Sequence, residues 1–394
     1  MDIARLISDR ARALEPSGIR RISDLAAKMP DALNLSIGQP DFPVPERIKQ
    51  AAMRAIAGDR NGYAVTVGVP ELRESIAGWV RTDLGWETTG QSDPAMLVTV
   101  GTSGALLLAA QAMLSPGDEM IVGDPYFTLY PPLARLCEAK AVVCDTYPDF
   151  RLTAARVEPL ITARTKFVLL TSPSNPSGVV CSEKDVAELL ELCRRRNVLL
   201  ISDEIYDEFT FSESKTSRCA RDGGKARCPS PARLPGASED VLVIRGFGKT
   251  YGVTGWRLGY AVGPRALVEQ MTKINQYSFV CAPTPLQVGV AEAFGTDRGA
   301  VVGEYEKRRD LAVSMLGEVT EVTLPGGAFY VFPKVPDRLG LTATKFVDRC
   351  VERQVLVIPG SAFSKRDTHI RVSLAAKMER LEKGLAIVCE LMRG

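Results

Sequence analysis

From about residue 95 onward, short apolar runs alternate with stretches whose apolar positions recur every three or four residues, so strand and helix are predicted in turn. The predicted strands are AMLVTV (95–100), EMIVGD (119–124), AVVCD (141–145), KFVLLTS (166–172), VLLISD (198–203), VLVIRG (241–246) and RLGYAVG (257–263). Several are continuous apolar runs, as strands covered on both faces require, and this predicts βαβ units on a mostly parallel sheet. Between them, SGALLLAAQAML (103–114) and SEKDVAELLELCRRR (182–196) predict helices, the second opening on a capping-box pair, Ser182 and Asp185. The stretch 264–320 reads as long helices. After it, AFYVFPKV (328–335), VLVIPG (355–360) and HIRVSLA (369–375) read as strands of a smaller unit, and no internal repeat interrupts the order.

The fold class that follows is α/β, with a mostly parallel seven-stranded sheet in a large domain and a smaller α+β domain beside it. With 394 residues the chain exceeds the size at which one hydrophobic core stops growing, which agrees with two cores. The expected division is an N-terminal arm over 1–45 that packs with the small domain, a large domain over 46–290, and a small domain over 291–394. The opening stretch, MDIARLISDRARALEPSG, reads as a polar helix. Residues 212–240, rich in Ser, Gly, Pro and charge, break the rhythm and predict a surface insertion, either an unstructured flap or a segment that meets substrate or partner.

Composition narrows the function. The 49 basic and 47 acidic residues are mixed along the chain, which argues against nucleic acid as a partner. No apolar run is long enough to span a membrane, and the polar start lacks the apolar core of a secretory signal, so a cytoplasmic protein is expected. Nine cysteines at irregular spacings, with no CxxC, predict reduced packing residues rather than disulfides or a zinc ribbon. A single histidine, His369, excludes a His-clustered metal site and argues against a Ser-His-Asp triad, so no metal is expected and base chemistry must fall to another residue type.

The chemistry shows in positions. Open α/β sheets bind ligands at the carboxyl ends of their strands, and polar groups collect just past those ends here. Gly101-Thr102-Ser103-Gly104 follows the first strand and opens a helix, so its backbone N–H groups suit a phosphate. Phe127 follows the second strand, Asn175 lies in SPSNPSG, Asp203 and Tyr206 end VLLISDEIY, and Lys249 lies just past VLVIRG. Singly each has a plain reading: Asp203 as a helix cap, Asn175 in a turn, Phe127 in the core, the glycine turn as sterics. Jointly an acid, an amide, a phenol, an aromatic face and an amine point to a ring-shaped phosphorylated ligand.

With these residues the chain resembles the class I/II aminotransferases of the aspartate aminotransferase superfamily, the pyridoxal-phosphate enzymes of fold type I. The resemblance runs from LNLSIGQPDFPVP (33–45) and NGYAVTVGVPELRESIA (61–77) through SPSNPSG (172–178), SDEIYDEF (202–209) and KTYGVTGWRLGY (249–260) to PGGAFYVFP (325–333) and HIRVSLA (369–375). It implies a ping-pong transfer of an amino group between an L-amino acid and a 2-oxo acid, with pyridoxal 5′-phosphate held by Lys249 as a Schiff base and Lys249 moving the proton. It implies further that Asp203 pairs with the ring nitrogen, Tyr206 and Asn175 hydrogen-bond the ring hydroxyl oxygen, and Phe127 stacks on the ring. Arg257 and the amides of Thr102, Ser103 and Gly104 would bind the phosphate, with Tyr63 reaching it from the other subunit of a homodimer. Arg371, with Gly38 and Asn175, would hold the substrate carboxylate, and Ile19 lies in a segment that in the family closes over substrate. One departure stands out: Gly246 occupies a position where the family often has a phosphate-binding serine.

Rival readings differ in how far they go. Gly248-Lys249-Thr250 imitates the end of a P-loop, but Val243 stands where that motif needs glycine and a second strand follows where it needs a helix. A regulatory pyridoxal-phosphate fold fused to DNA-binding helices would need room that the chain lacks. A carbon–sulfur lyase, or another elimination or cyclisation enzyme on the same scaffold, shares Lys249, Asp203 and Asn175 and stays open as the alternative.

Overall fold

The computed structural model describes residues 1–16, 18–91, 93–216 and 227–394. Its centre is a seven-stranded sheet of β1 (Ala95–Val100), β2 (Glu119–Asp124), β3 (Lys140–Asp145), β4 (Thr165–Thr171), β5 (Leu199–Asp203), β6 (Val241–Gly246) and β7 (Leu258–Gly263). Their order across the sheet is β1-β7-β6-β5-β4-β2-β3. All neighbours are parallel except β7, which runs antiparallel to both β1 and β6. Every predicted strand of the sheet is present within a residue of its predicted ends. The apolar runs explain this: alternate residues of one strand enter two different cores, so Val168 and Leu170 pack on one face while Phe167 and Leu169 pack on the other.

Helices cover both faces. While α1 (Gly18–Lys28) packs into a separate core, those on the central sheet include α2 (Glu46–Ala57), α3 (Pro70–Leu84), α4 (Gly101–Met113), α5 (Tyr130–Leu136), α6 (Glu183–Arg196), α7 (Phe247–Thr250), α8 (Arg265–Ser278) and α9 (Thr284–Ala291), and α10 (Gly299–Gly317) joins α1. The predicted capping box is made at the start of α6, where the Ser182 hydroxyl accepts from the Asp185 amide and the Asp185 carboxylate accepts from the Ser182 amide.

A third core is built on β8 (Tyr330–Val331), β9 (Ile358–Pro359) and β10 (Ile370–Ser373), which form a small antiparallel sheet in the order β9-β10-β8. These strands are shorter than the sequence suggests. Pro333 and Pro359 lack the N–H a ladder needs, and VLVIPG divides, its Val355–Leu356 half pairing instead with Leu33–Asn34 in parallel.

Two expectations are corrected. The opening polar helix is broken into a 3-10 turn over Ile3–Leu6 and a single turn over Asp9–Arg12, because Ser8 restarts the helix as an N-cap and Pro16 cannot continue it. The stretch 212–240 is not wholly a surface insertion. Residues 217–226 lie outside the described residues, but Cys228, Ser230, Ala232 and Arg233 beyond them are buried. Polar residues can be buried there because they are paired: Arg233 forks onto Asp83, and the Ser230 hydroxyl donates to Glu204 at 2.6 Å.

Candidate active site

The carboxyl ends of β1, β2, β4, β5 and β6 open into one cavity of about 300 Å³. Gly101, Thr102 and Ser103 enter from the β1–α4 turn, Phe127 and Tyr130 from beyond β2, Thr171 and Asn175 from β4, Asp203, Ile205 and Tyr206 from β5, and Lys249 from α7. Ile19, Gly38, Tyr330 and Arg371 close it from the side of the small sheet. Of the residues singled out in the sequence, Gly38, Thr102, Ser103, Phe127, Asn175, Asp203, Tyr206, Lys249, Arg257 and Arg371 line this space. Gly104 and Tyr63 do not: Gly104 lies a turn inside α4, and Tyr63 is 89% exposed on the surface.

At one end, α4 points its N-terminus into the cavity with no side-chain cap, leaving backbone donors and the positive end of the helix dipole available. Gly101 turns the chain at φ 67°, and a Cβ there would sit 2.7 Å from Arg257 Nη2, so only glycine lets the guanidinium lie across the turn. Arg257 itself takes φ 54°, uncommon outside glycine, and its Nη1 donates to the Thr254 carbonyl at 3.0 Å. Gly246 has a local cause too. A Cβ there would meet Ile205 Cδ1 at 2.6 Å and Thr102 Cγ2 at 2.9 Å, so neighbouring side chains already fill the space a serine would need.

In the middle, the Asp203 carboxylate is buried and accepts from the Tyr130 hydroxyl at 2.8 Å and from the Ile205 amide at 3.3 Å. Burial pushes its pKa up to about 6, although the Tyr130 hydrogen bond opposes the rise. Lys249 donates to the Gly38 carbonyl, and burial, helped by the Arg371 and Arg257 charges, lowers its pKa to about 8. The Tyr206 hydroxyl lies 3.0 Å from that of Tyr330.

At the other end, Arg371 is 2% exposed. Its guanidinium carbon lies 4.5 Å from the centre of the Tyr330 ring and 4.8 Å from that of Phe363. Nη1 donates to Asn175 Oδ1 at 3.1 Å and Nη2 to the Ser36 carbonyl at 2.8 Å, while Nε is buried without a partner. Among the described residues, none of Asp203, Lys249, Arg257 and Arg371 forms an ion pair.

An acid without a cation, a guanidinium without a carboxylate, and a bare helix N-terminus with an arginine across it form a donor set that fits pyridoxal phosphate and an amino-acid carboxylate. His369, by contrast, stacks on Phe332 outside the cavity, where burial lowers its pKa to about 4. Lining residues that escaped the sequence reading include Tyr130, Thr171 and Tyr330. Tyr130 stands three residues after Phe127, one helical turn away, and that spacing was the available signal. Thr171 is marked only as the end of a run, and nothing local marks Tyr330.

Comparison with known proteins gives a consistent result. The family model "Aminotransferase class I and II" matches residues 30–388. The aspartate aminotransferase of Pyrococcus abyssi is 34% identical, over 98% of this chain and 98% of that protein. Aromatic-amino-acid aminotransferase 2 of Thermococcus litoralis is 33% identical over 96% of each. The solved structure of Thermus thermophilus aspartate aminotransferase with maleate superposes with a TM-score of 0.88 at 32% identity, covering 98% of this chain and 99% of that one.

Proposed function

The chain belongs to the class I and II aminotransferases and transfers an amino group between an amino acid and a 2-oxo acid, and from that premise we propose that it does so with pyridoxal 5′-phosphate anchored on Lys249. The observation that carries this reading is the set of uncompensated charges in one cavity. The helix α4 N-terminus, through the amides of Thr102 to Gly104, and Arg257 would hold the phosphate. Phe127 would stack on the ring, Asp203 would face the ring nitrogen, and Asn175 and Tyr206 would meet the ring hydroxyl oxygen. The cofactor supplies an electron sink for the pair left at the substrate Cα.

The protein's part is binding, orientation and proton transfer. Arg371, clamped between two aromatic rings and tied to Asn175, is aimed before substrate arrives, so its fork would fix the carboxylate with little reorganisation beside Gly38. A fixed carboxylate also fixes the direction of the Cα–H bond. Lys249, with a pKa near 8, offers a neutral amine at pH values where a free lysine would not, and it would take the Cα proton. Two half-reactions in turn make the kinetics ping-pong.

The same reading makes the working unit a homodimer. Met53, Ile56, Tyr63, Val65, Tyr277, Phe279 and Val280 are large apolar residues left exposed. Their segments touch: Thr284 Oγ1 donates to the Gly62 carbonyl and Asn275 Nδ2 to the Thr66 carbonyl. A partner covering this face would bring Tyr63 toward its own phosphate site. The division into an arm over 1–45, a large domain over 46–290 and a small domain over 291–394 also belongs to this reading, supported by the pairing of Leu33–Asn34 with Val355–Leu356. A cytoplasmic location is supported by the free state of all eight described cysteines, and no helix among the described residues is long and apolar enough to cross a membrane.

The test mixes the cofactor-loaded protein with single amino acids and follows the absorbance of the lysine-bound cofactor. Conversion to pyridoxamine phosphate with release of a 2-oxo acid is expected, and Lys249→Ala should abolish it together with any borohydride-fixed adduct. Release of ammonia and pyruvate without that conversion would identify a lyase, and an adduct on another lysine would overturn the anchor.

A further inference from the structure

Tyr130 is the least expected member of the cavity, and nothing in the family match assigns it. It is 2% exposed, begins α5, and sets its ring edge-on to Phe127 at 5.7 Å between centroids. Those facts alone describe a core aromatic. Its hydroxyl says more, because it sits between two polar atoms: Asp203 Oδ2 at 2.8 Å and Thr171 Oγ1 at 2.5 Å. A phenol has one proton. An ionised carboxylate can only accept, so that proton is committed to Asp203, and the threonine hydroxyl, which can do both, must donate to Tyr130. The order Thr171 to Tyr130 to Asp203 is therefore fixed by valence, and the sheet holds it, since Thr171 and Asp203 are register partners on β4 and β5.

We infer that Tyr130 is a positioning residue for the transamination, acting with Thr171 to aim the Asp203 carboxylate and favour its charged form opposite the cofactor ring nitrogen. This rests on the pyridoxal-phosphate reading above. The need for such a device is electrostatic. Asp203 is buried, and burial alone favours the protonated acid, which would not stabilise a positive ring nitrogen. The titratable and charged groups around it are Tyr130 from α5, Glu204 and Tyr206 from its own strand end, and Lys249, Arg257, Tyr330 and Arg371 lining the same cavity. Glu204 works against ionisation and Tyr206 makes no hydrogen bond to the carboxylate, which leaves Tyr130 as its one side-chain donor among the described residues. The edge contact with Phe127 ties the same residue to the ring expected to stack on the cofactor, so one side chain sets both the face and the nitrogen partner of that ring.

The test compares affinities of cofactor-free protein for pyridoxal phosphate and for its 1-deaza analogue, in which carbon replaces the ring nitrogen. Tyr130→Phe should weaken pyridoxal phosphate binding at pH 8 by about tenfold, the size of a lost hydrogen bond to a charged group, and leave the analogue's affinity unchanged. The difference should shrink below pH 6, where Asp203 is protonated in both proteins, and kcat should fall more than KM changes. Thr171→Val, which keeps the aromatic packing intact, should act in the same direction with a smaller change, and it decides the matter if Tyr130→Phe does not fold. Equal losses for both cofactors would reduce Tyr130 to packing, and no loss for either would overturn the inference. Failure of the unaltered protein to bind pyridoxal phosphate would instead remove the reading on which the inference rests.

Discussion

Asp203 and Glu204 are neighbours at the end of β5, yet they face opposite sides of the sheet and meet opposite fates. Asp203 turns into the cavity and has no cation. Glu204 turns away, where it accepts from Ser202, Ser230 and the Arg245 guanidinium. Behind it lies a cluster of four acids, Asp83, Glu204, Asp207 and Glu208, and three arginines, Arg227, Arg233 and Arg245, with Arg245 bridging Asp83, Glu204 and Asp207. Burial pushes the Asp83 carboxyl up, but the Arg245, Arg233 and Arg227 charges outweigh it and hold its pKa at about 2. The cavity is built the other way, with one acid, three cations and no ion pair among them. Charge paired inside the protein holds a fold together, and charge left unpaired in a cavity waits for a ligand.

Three experiments sharpen or break that contrast. The largest effect belongs to the paired cluster: Arg245→Met leaves three acids without their shared cation and should cost about 3–5 kcal/mol in urea unfolding, while the folded fraction keeps its kcat. A loss under about 1 kcal/mol would mean that the cluster is not structural. Next, Asp203→Ala should cut turnover by about 10²–10³-fold, as for other groups placed against developing charge, without lowering the unfolding midpoint of the cofactor-free protein. Turnover near that of the unaltered enzyme would refute its assignment.

The smallest effect is a pair of pH dependences of opposite sign. Asp203 titrates near 6 when folded against 3.8 when free, so its term is fully stabilising below 3.8 and is lost as pH rises through 6. Asp83 titrates near 2 when folded, so its term is present above 3.8 and lost as pH falls through 2. Denaturant midpoints of cofactor-free Asp203→Asn should lack a decline between pH 4 and 6, and those of Asp83→Asn should lack a decline below pH 4. The same slope for both variants would erase the distinction.

Much of this contrast was readable before folding. Lys249, Asp203, Asn175 and the Gly101 turn each follow an apolar run, and the end of such a run is where an α/β sheet opens to solvent and ligand. Tyr130 was marked only by its spacing from Phe127 and Thr171 only as the end of a run, because a tyrosine in a helix start or a threonine ending a strand is ordinary in either the core or a site, and nothing marked Tyr330. The stretch 212–240 misled for a related reason: Arg227, Ser230 and Arg233 look like surface residues until Asp83 and Glu204 are brought beside them from 150 and 26 residues away in the case of Arg233 and Ser230. Polarity along the chain does not reveal whether a partner waits at long range.

The sequence by itself determined the seven strands of the central sheet, the mostly parallel arrangement that βαβ alternation implies, and the residue types at the strand ends, since hydrophobic period and turn chemistry are local. The tertiary structure alone decided which of the charges would be paired. Coulomb and desolvation terms depend on distance and burial, which link residues far apart in the chain. That is why Asp203 and Glu204, adjacent in sequence, became a ligand-facing acid and a structural one.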